Sequence, residues 1–284
     1  YNNNWVIKKL IMLVIEQLPK AGGKSFASSF EYEYKNRFKL IPKGDKFTFP
    51  NGLIATAGHR AYRRLLNNGI KEYDMKLLTV VRNPIDRVKS QFNSIQRVSI
   101  FRDINWYRIN IKKFSLSDYY EKKLFPDFDN SMVRRFSNID FNFGECNESI
   151  YNEAIVKLKK YYFIGVQEEF NKSLFLLHKK LNWNSLPVYT NFNITDRKFY
   201  NNADFNDDLI IKNNKWDIKL YKYCLKVFKK DCQEFISEND KVLFDQYNKV
   251  QKKLNNISKK NLRNRLIRET LKSLMDDLTY KIGK

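Results

Sequence analysis

A chain of 284 residues, 43% of them hydrophobic, is long enough to bury a large core and still be one domain with appendages. Its 53 Lys and Arg against 31 Asp and Glu leave a net charge of +22, which calls for a polyanionic partner, although no zinc-finger, helix-turn-helix or aromatic RNA-binding pattern is present. Two distant histidines and no Cys-x-x-Cys pair give no zinc spacing; three cysteines, Cys146, Cys224 and Cys232, neither demand nor exclude a disulfide.

In chain order, Ile11 to Ile15 is a short apolar run that predicts a buried strand. Leu18-Pro19-Lys20-Ala21-Gly22-Gly23-Lys24-Ser25 follows as a loop running into a helix. Adjacent glycines let backbone N–H groups approach a phosphate, and the positive end of the helix opened at Ser25 favours anions. Phe26, Phe30 and Tyr34 then repeat every four residues, as on a helix packed against a sheet. Gly23-Lys24-Ser25 matches the end of a nucleoside triphosphatase loop, but that motif needs a glycine where this chain has Leu18.

Leu53 to Thr56 predicts a further strand, leading through Ala57-Gly58-His59 into a basic turn with Arg60, Arg63 and Arg64. Leu77 to Val81 predicts another, which exits at Arg82. Asn83 reads as the N-cap and Pro84 as the first residue of a helix whose buried face is Ile85, Val88, Phe92 and Ile95. Ser90 lies two turns on, about 10 Å along the axis. Two readings stand for this pair: Arg82 and Ser90 share an anion, as a guanidinium fork beside a hydroxyl suits, or Arg82 pairs with Asp86 and Ser90 is solvated. Tyr162 to Glu169 begins as a fourth apolar strand, ending near residue 166, and His178 falls on the amphipathic helix after it, where it reads as a partly exposed helix residue. Strands alternating with helices predict an α/β fold, a P-loop-like domain with a central parallel sheet. Its ligands would gather at the carboxyl edge.

Taken together, these segments resemble the sulfotransferases that use 3′-phosphoadenosine-5′-phosphosulfate (PAPS), and among them the heparan sulfate and uronyl 2-O-sulfotransferase family. That family's Pro-Lys-Thr-Gly-Ser-Thr-Ser loop appears here as Pro19 to Ser25. Its Arg-(Asn/Asp)-Pro-Ile-(Glu/Asp)-Arg string, with a serine eight residues after the first arginine, appears as Arg82 to Arg87 with Ser90. Tyr162 to Glu169 is close to a third family segment apart from one missing residue, so the resemblance spans about residues 10 to 235. It implies that Lys20, Ala21, Gly22, Gly23, Lys24 and Ser25 hold the 5′-phosphosulfate, and that Arg82 and Ser90 take the 3′-phosphate. The family's His-Gly-His motif appears as Ala57-Gly58-His59, so the resemblance makes His59 the catalytic base while the first histidine is lost. Lys24 stands where the family has threonine; it either adds a contact to the sulfate or points into solvent.

Sulfuryl transfer, like phosphoryl transfer, is chiefly positioning and charge stabilisation. His59 would take the proton from an acceptor hydroxyl and Lys20 would neutralise the leaving oxygen. No metal is called for. The implied acceptor is an anionic glycosaminoglycan-like polysaccharide, at the 2-hydroxyl of a uronic acid, gripped by Arg60, Arg63 and Arg64 and by the arginines of a less regular insertion at 99–150, Arg102, Arg108, Arg134 and Arg135, each of which also reads as solvated. Asn193 to Lys198 falls where the family has a basic closing loop, which gives Thr195, Arg197 and Lys198 to the cofactor. A P-loop nucleotide kinase and a noncatalytic polyanion-binding protein are the rival readings.

Residues 1–240 are therefore expected to be the catalytic domain and 241–284 a basic helical tail. Leu262, Leu266, Leu271, Leu274, Leu278 and Ile282 keep an apolar stripe in that tail, which would dock on its own chain or on a second copy in a homo-oligomer. The family's members are type II Golgi membrane proteins, so the chain is expected to be a lumenal part whose N-terminal anchor is missing. Four N-x-[ST] sequons, at Asn147, Asn171, Asn193 and Asn256, permit a secretory glycoprotein.

Overall fold

The computed structural model describes residues 11–42, 46–101, 114–189 and 205–256. Five strands, β1 (Met12–Glu16), β2 (Phe38–Leu40), β3 (Ala55–Gly58), β4 (Met75–Val81) and β5 (Phe163–Val166), form one parallel sheet in the order β2-β3-β1-β4-β5. Every residue of β1 is buried, as a central strand covered on both faces requires. Its alternate residues part to opposite sides: Leu13 and Ile15 join a core with Phe26 and Phe30, whereas Met12 and Val14 join Ala61 and Leu65. The fold is thus the expected α/β arrangement.

The crossovers are α1 (Gly23–Tyr34), α2 (Ala61–Asn67), α3 (Pro84–Phe101) and, after β5, α7 (Phe170–Leu181). Phe26 and Phe30 of α1 are fully buried, with ring centroids 5.5 Å apart and Phe26 stacked at 5.8 Å on Phe163 of β5. Asn83 caps α3, its Oδ1 accepting the Ile85 N–H at 2.9 Å. Val88 and Phe92 are buried, with Ile85 and Ile95 packed beside them.

Three expectations need correcting. The strand expected at Leu53 to Thr56 lies two residues later, where the small residues Ala55, Ala57 and Gly58 are required by close packing; a Cβ on Gly58 would stand 3.1 Å from Ile41 Cβ. His178 is buried rather than partly exposed, and its Nδ1 donates to the Ser185 carbonyl at 3.1 Å. Within or at the end of the less regular insertion lie α4 (Leu116–Glu121), α5 (Ser131–Ser137) and α6 (Glu148–Leu158). Its Arg134 is not solvated: it is 7% exposed, lies 3.3 Å from Asp129 and stacks over the Phe141 ring at 3.6 Å.

Beyond β5 and α7 come α8 (Asp207–Asn213), α9 (Lys215–Phe235) and α10 (Asp240–Asn256). A buried polar knot ties α9 to the insertion. Asp217 accepts the N–H groups of Met132 and Val133 at 3.0 and 2.9 Å, capping α5, while Asn130 Oδ1 accepts those of Trp216 and Asp217, both at 3.0 Å, capping α9. Arg87 of α3 enters the same knot with its side chain wholly buried, Nε 3.9 Å from Asp217 and Nη2 donating to the Asp127 carbonyl at 2.9 Å. Burial raises the Asp217 carboxyl above the ordinary aspartate range while Arg87 pulls it down.

The first part of the expected tail, α10, packs on its own chain. Tyr247 and Leu254 join Phe175 of α7, and Lys179 pairs with Asp240 at 2.7 Å. The apolar stripe from Leu262 to Ile282 lies outside the described residues. Among the described residues no helix is long and apolar enough to cross a membrane. The three cysteines are buried and free.

Candidate active site

The carboxyl ends of four adjacent strands carry the residues singled out from sequence. Across the sheet they run from His59 after β3, through the loop after β1, to Arg82 after β4 and Glu168 after β5. The loop from Gln17 to Gly22 is built on two left-handed backbone positions, Lys20 at φ 65° and Gly22 at φ 77°. At Gly22 a side chain would also meet Gln167 Cγ at 3.3 Å, so only glycine suits the place. The loop then delivers the chain into α1, whose first turn contains Gly23, Lys24 and Ser25.

The two anion motifs meet. Arg82 Nη1 donates to the Lys20 carbonyl at 3.0 Å, across sixty-two residues of sequence. Glu168 fixes the neighbouring backbone by accepting the Asn83 N–H at 2.8 Å through Oε1 and the Tyr221 hydroxyl at 2.9 Å through Oε2. Lys20, Arg82 and Ser90 are half-buried, Ser25 is buried and Lys24 is exposed. At the far end of this row an open pocket of about 470 Å³ is lined by Gln167, Glu168, Phe170 and Phe244, among others. Basic side chains, a buried hydroxyl and a helix start are the donor set that a bisphosphorylated nucleotide asks for.

His59 sits beside this loop. Its Nδ1 lies 2.6 Å from the Gln17 carbonyl, and since a carbonyl only accepts, Nδ1 carries the proton and Nε2 keeps its lone pair. His59 is an exposed residue, yet partial burial of its ring lowers its pKa below the usual histidine value, helped by the charges of Arg135 and Lys24 and opposed by the Gln17 hydrogen bond and Asp127. An imidazole protonated at Nδ1 keeps its acceptor lone pair on Nε2, the form a general base uses.

Of the basic turn, Arg60 and Arg63 both reach Asp140 of the insertion, at 3.4 and 3.3 Å, and remain about 40% exposed. Arg64 is placed elsewhere: it donates to the Pro42 carbonyl and lies over the Phe47 ring at 5.3 Å. Arg102, Arg108, Thr195, Arg197 and Lys198 lie outside the described residues. Sequence reasoning missed Glu16 and Gln17, and took Arg135 only as one of the insertion's arginines. Only Glu16 left a signal, as a carboxylate placed directly after the run Ile11 to Ile15. Among the described residues no group of His, Cys, Asp and Glu is arranged to hold a metal ion.

No family model matches the chain. A curated relative, the heparan-sulfate 6-O-sulfotransferase 3 of Mus musculus, is 23% identical over 180 residues. That relative is a carbohydrate sulfotransferase. The similarity covers 53% of this chain and 37% of the mouse protein, so the chain spans little more than a third of its relative's length. This likeness to a carbohydrate sulfotransferase agrees with the resemblance carried by Pro19 to Ser25, Arg82 to Arg87 and Tyr162 to Glu169.

Proposed function

We propose that this chain transfers the sulfuryl group of PAPS to a hydroxyl of a glycosaminoglycan-like polysaccharide, with His59 as general base. The observation that carries the reading is the meeting of Arg82 with the Lys20 loop beside an imidazole held in its Nδ1–H form. In this reading Lys20 to Ser25 bind the 5′-phosphosulfate, and Arg82 and Ser90 take the 3′-phosphate. PAPS supplies an activated sulfur with a bisphosphate leaving group. His59 Nε2 accepts the proton of the sugar hydroxyl as that oxygen bonds to sulfur, and the bond from sulfur to the phosphate oxygen breaks. Lys20 neutralises the charge left on the departing phosphate. Arg60 and Arg63 guide the polyanion, exchanging their shared Asp140 for its sulfates or carboxylates.

The wording of the motifs supports a uronic-acid 2-hydroxyl as acceptor, whereas the mouse relative is a 6-O enzyme. The resemblance also supports a location in the Golgi lumen, as part of a type II membrane protein.

Transfer of radiolabelled sulfate onto desulfated heparan, chondroitin and dermatan tests the reading. His59→Ala is expected to lose about 10²- to 10⁴-fold in rate while keeping its affinity for adenosine 3′,5′-bisphosphate. Equal transfer by both proteins removes His59 from the mechanism. Binding of heparin without the bisphosphate overturns the enzyme reading in favour of a polyanion-binding protein, and tight magnesium-dependent ATP binding overturns it in favour of a kinase. Disaccharide analysis of the product identifies the acceptor hydroxyl.

A further inference from the structure

Glu16 is a buried carboxylate that the proposed reaction does not use. It ends β1, beside Gly58 on one neighbouring strand and Thr79 on the other, and only 4% of it is exposed. Its Oε2 accepts the Tyr62 N–H at 3.0 Å, at the start of α2. The next residue grips the same turn twice: the Gln17 N–H donates to the Gly58 carbonyl at 2.9 Å and the Gln17 carbonyl accepts from His59 Nδ1 at 2.6 Å. Gln17 Nε2 also donates to the Gly23 carbonyl at 3.1 Å, linking this grip to the phosphate loop. Two consecutive residues therefore hold the whole turn from Gly58 to Tyr62.

That turn needs holding. Arg60 sits at φ 54°, a left-handed conformation that an ordinary side chain adopts only at a cost. Without the bond from Glu16, the α2 start that follows Arg60 would lose its side-chain acceptor. The second carboxylate oxygen, Oε1, is buried without a hydrogen-bond partner among the described residues, and so is Arg135 Nε; the two residues line one small cavity together with Lys157, Lys160 and Tyr161.

We propose that Glu16 is a positioning residue for His59, fixing the turn that presents the ring while the Gln17 carbonyl fixes the ring's tautomer. Its catalytic meaning rests on the reading of His59 as base; its structural meaning does not. Burial raises the Glu16 carboxyl to about 7, against the pull of the N–H groups of Tyr62, Arg60 and Ala61 and of the Arg135 charge, so a neutral side chain with an acceptor oxygen is tolerated there.

The chain has two histidines, so nitrogen-15 NMR of the imidazoles reads His59 directly, with His178 as internal reference because it is held by Ser185 on another element. In Glu16→Ala, His59 is expected to lose its single Nδ1–H form for a mixture of tautomers while His178 is unchanged. kcat should fall about ten- to a hundredfold with affinity for adenosine 3′,5′-bisphosphate preserved. Glu16→Gln, which keeps an acceptor oxygen for Tyr62, should restore both the tautomer and the rate. An unchanged His59 tautomer in folded Glu16→Ala overturns the proposal. If the alanine variant fails to fold, seen as loss of the His178 signature, Glu16→Asp, with its shorter reach, decides by the same two signals. If His59→Ala retains full transfer, the catalytic reading fails while the tautomer measurement still judges Glu16.

Discussion

Arg82 and Arg87 stand five residues apart in one motif and serve opposite ends. Arg82 leaves the sheet at its carboxyl edge, half-buried, and reaches the loop that carries Lys20. Arg87, one turn into α3, points the other way and vanishes into the knot with Asp217, with no exposed side-chain surface. A shared charge and a shared motif therefore say little about role. Position relative to the strand end decides, because the edge of an open sheet offers a crevice whereas the flank of a crossover helix offers only a dry interface. One arginine lies half-buried at the sheet edge; the other is committed to the interior of the fold.

The comparison breaks most visibly at Arg87. Replacing it with alanine strands the Asp217 carboxylate in the interior, and urea denaturation is expected to show a loss of about 3–5 kcal/mol; a loss near zero would mean that the knot is held by its helix caps alone. Arg82→Ala should do the reverse, costing only about 1–3 kcal/mol in urea for its lost bond to the Lys20 carbonyl while calorimetry shows adenosine 3′,5′-bisphosphate bound about ten- to a hundredfold more weakly. Asn83→Ala lies between the two arginines and tests the geometry that separates them: losing the cap should lower stability by about 1 kcal/mol. The smallest effect is expected from Lys24→Ala. In the proposed reaction His59 works as a neutral base, and because its pKa is lowered below 6.5, kcat should hold as pH falls through 6.5 and drop only at lower pH. Removing the Lys24 charge raises that pKa, and the acid limb of the pH profile should move to higher pH.

Much of the sheet edge was legible because its signals are local. An apolar run followed by glycines, or by Asn83-Pro84, declares a strand end and a helix start within a few residues. The edge strand β2 escaped because three residues, two of them exposed, carry no pattern. The helix α4 was readable in principle: Ser115 and Asp118 form a reciprocal capping box at its start. The knot was not. Asp217 and Arg87 are 130 positions apart, and nothing near either residue says that one will neutralise the other. Glu16 shows the same limit at the site itself, since a carboxylate after a strand looks like the beginning of a solvated loop until the turn from Gly58 to Tyr62 is folded over it. Arg64 shows it in reverse: grouped by sequence with Arg60 and Arg63, it is drawn off by the Phe47 ring.

The exchanged caps carry a consequence for how the molecule is assembled. Asn130 supplies the acceptor that starts α9 and Asp217, on the first turn of α9, supplies the acceptors that start α5, so neither helix has a finished beginning until the other is in place. The central segment and the segment beyond β5 therefore form and open as one cooperative unit, and the amide protons of Met132, Val133 and Trp216 would exchange with heavy water at a common rate.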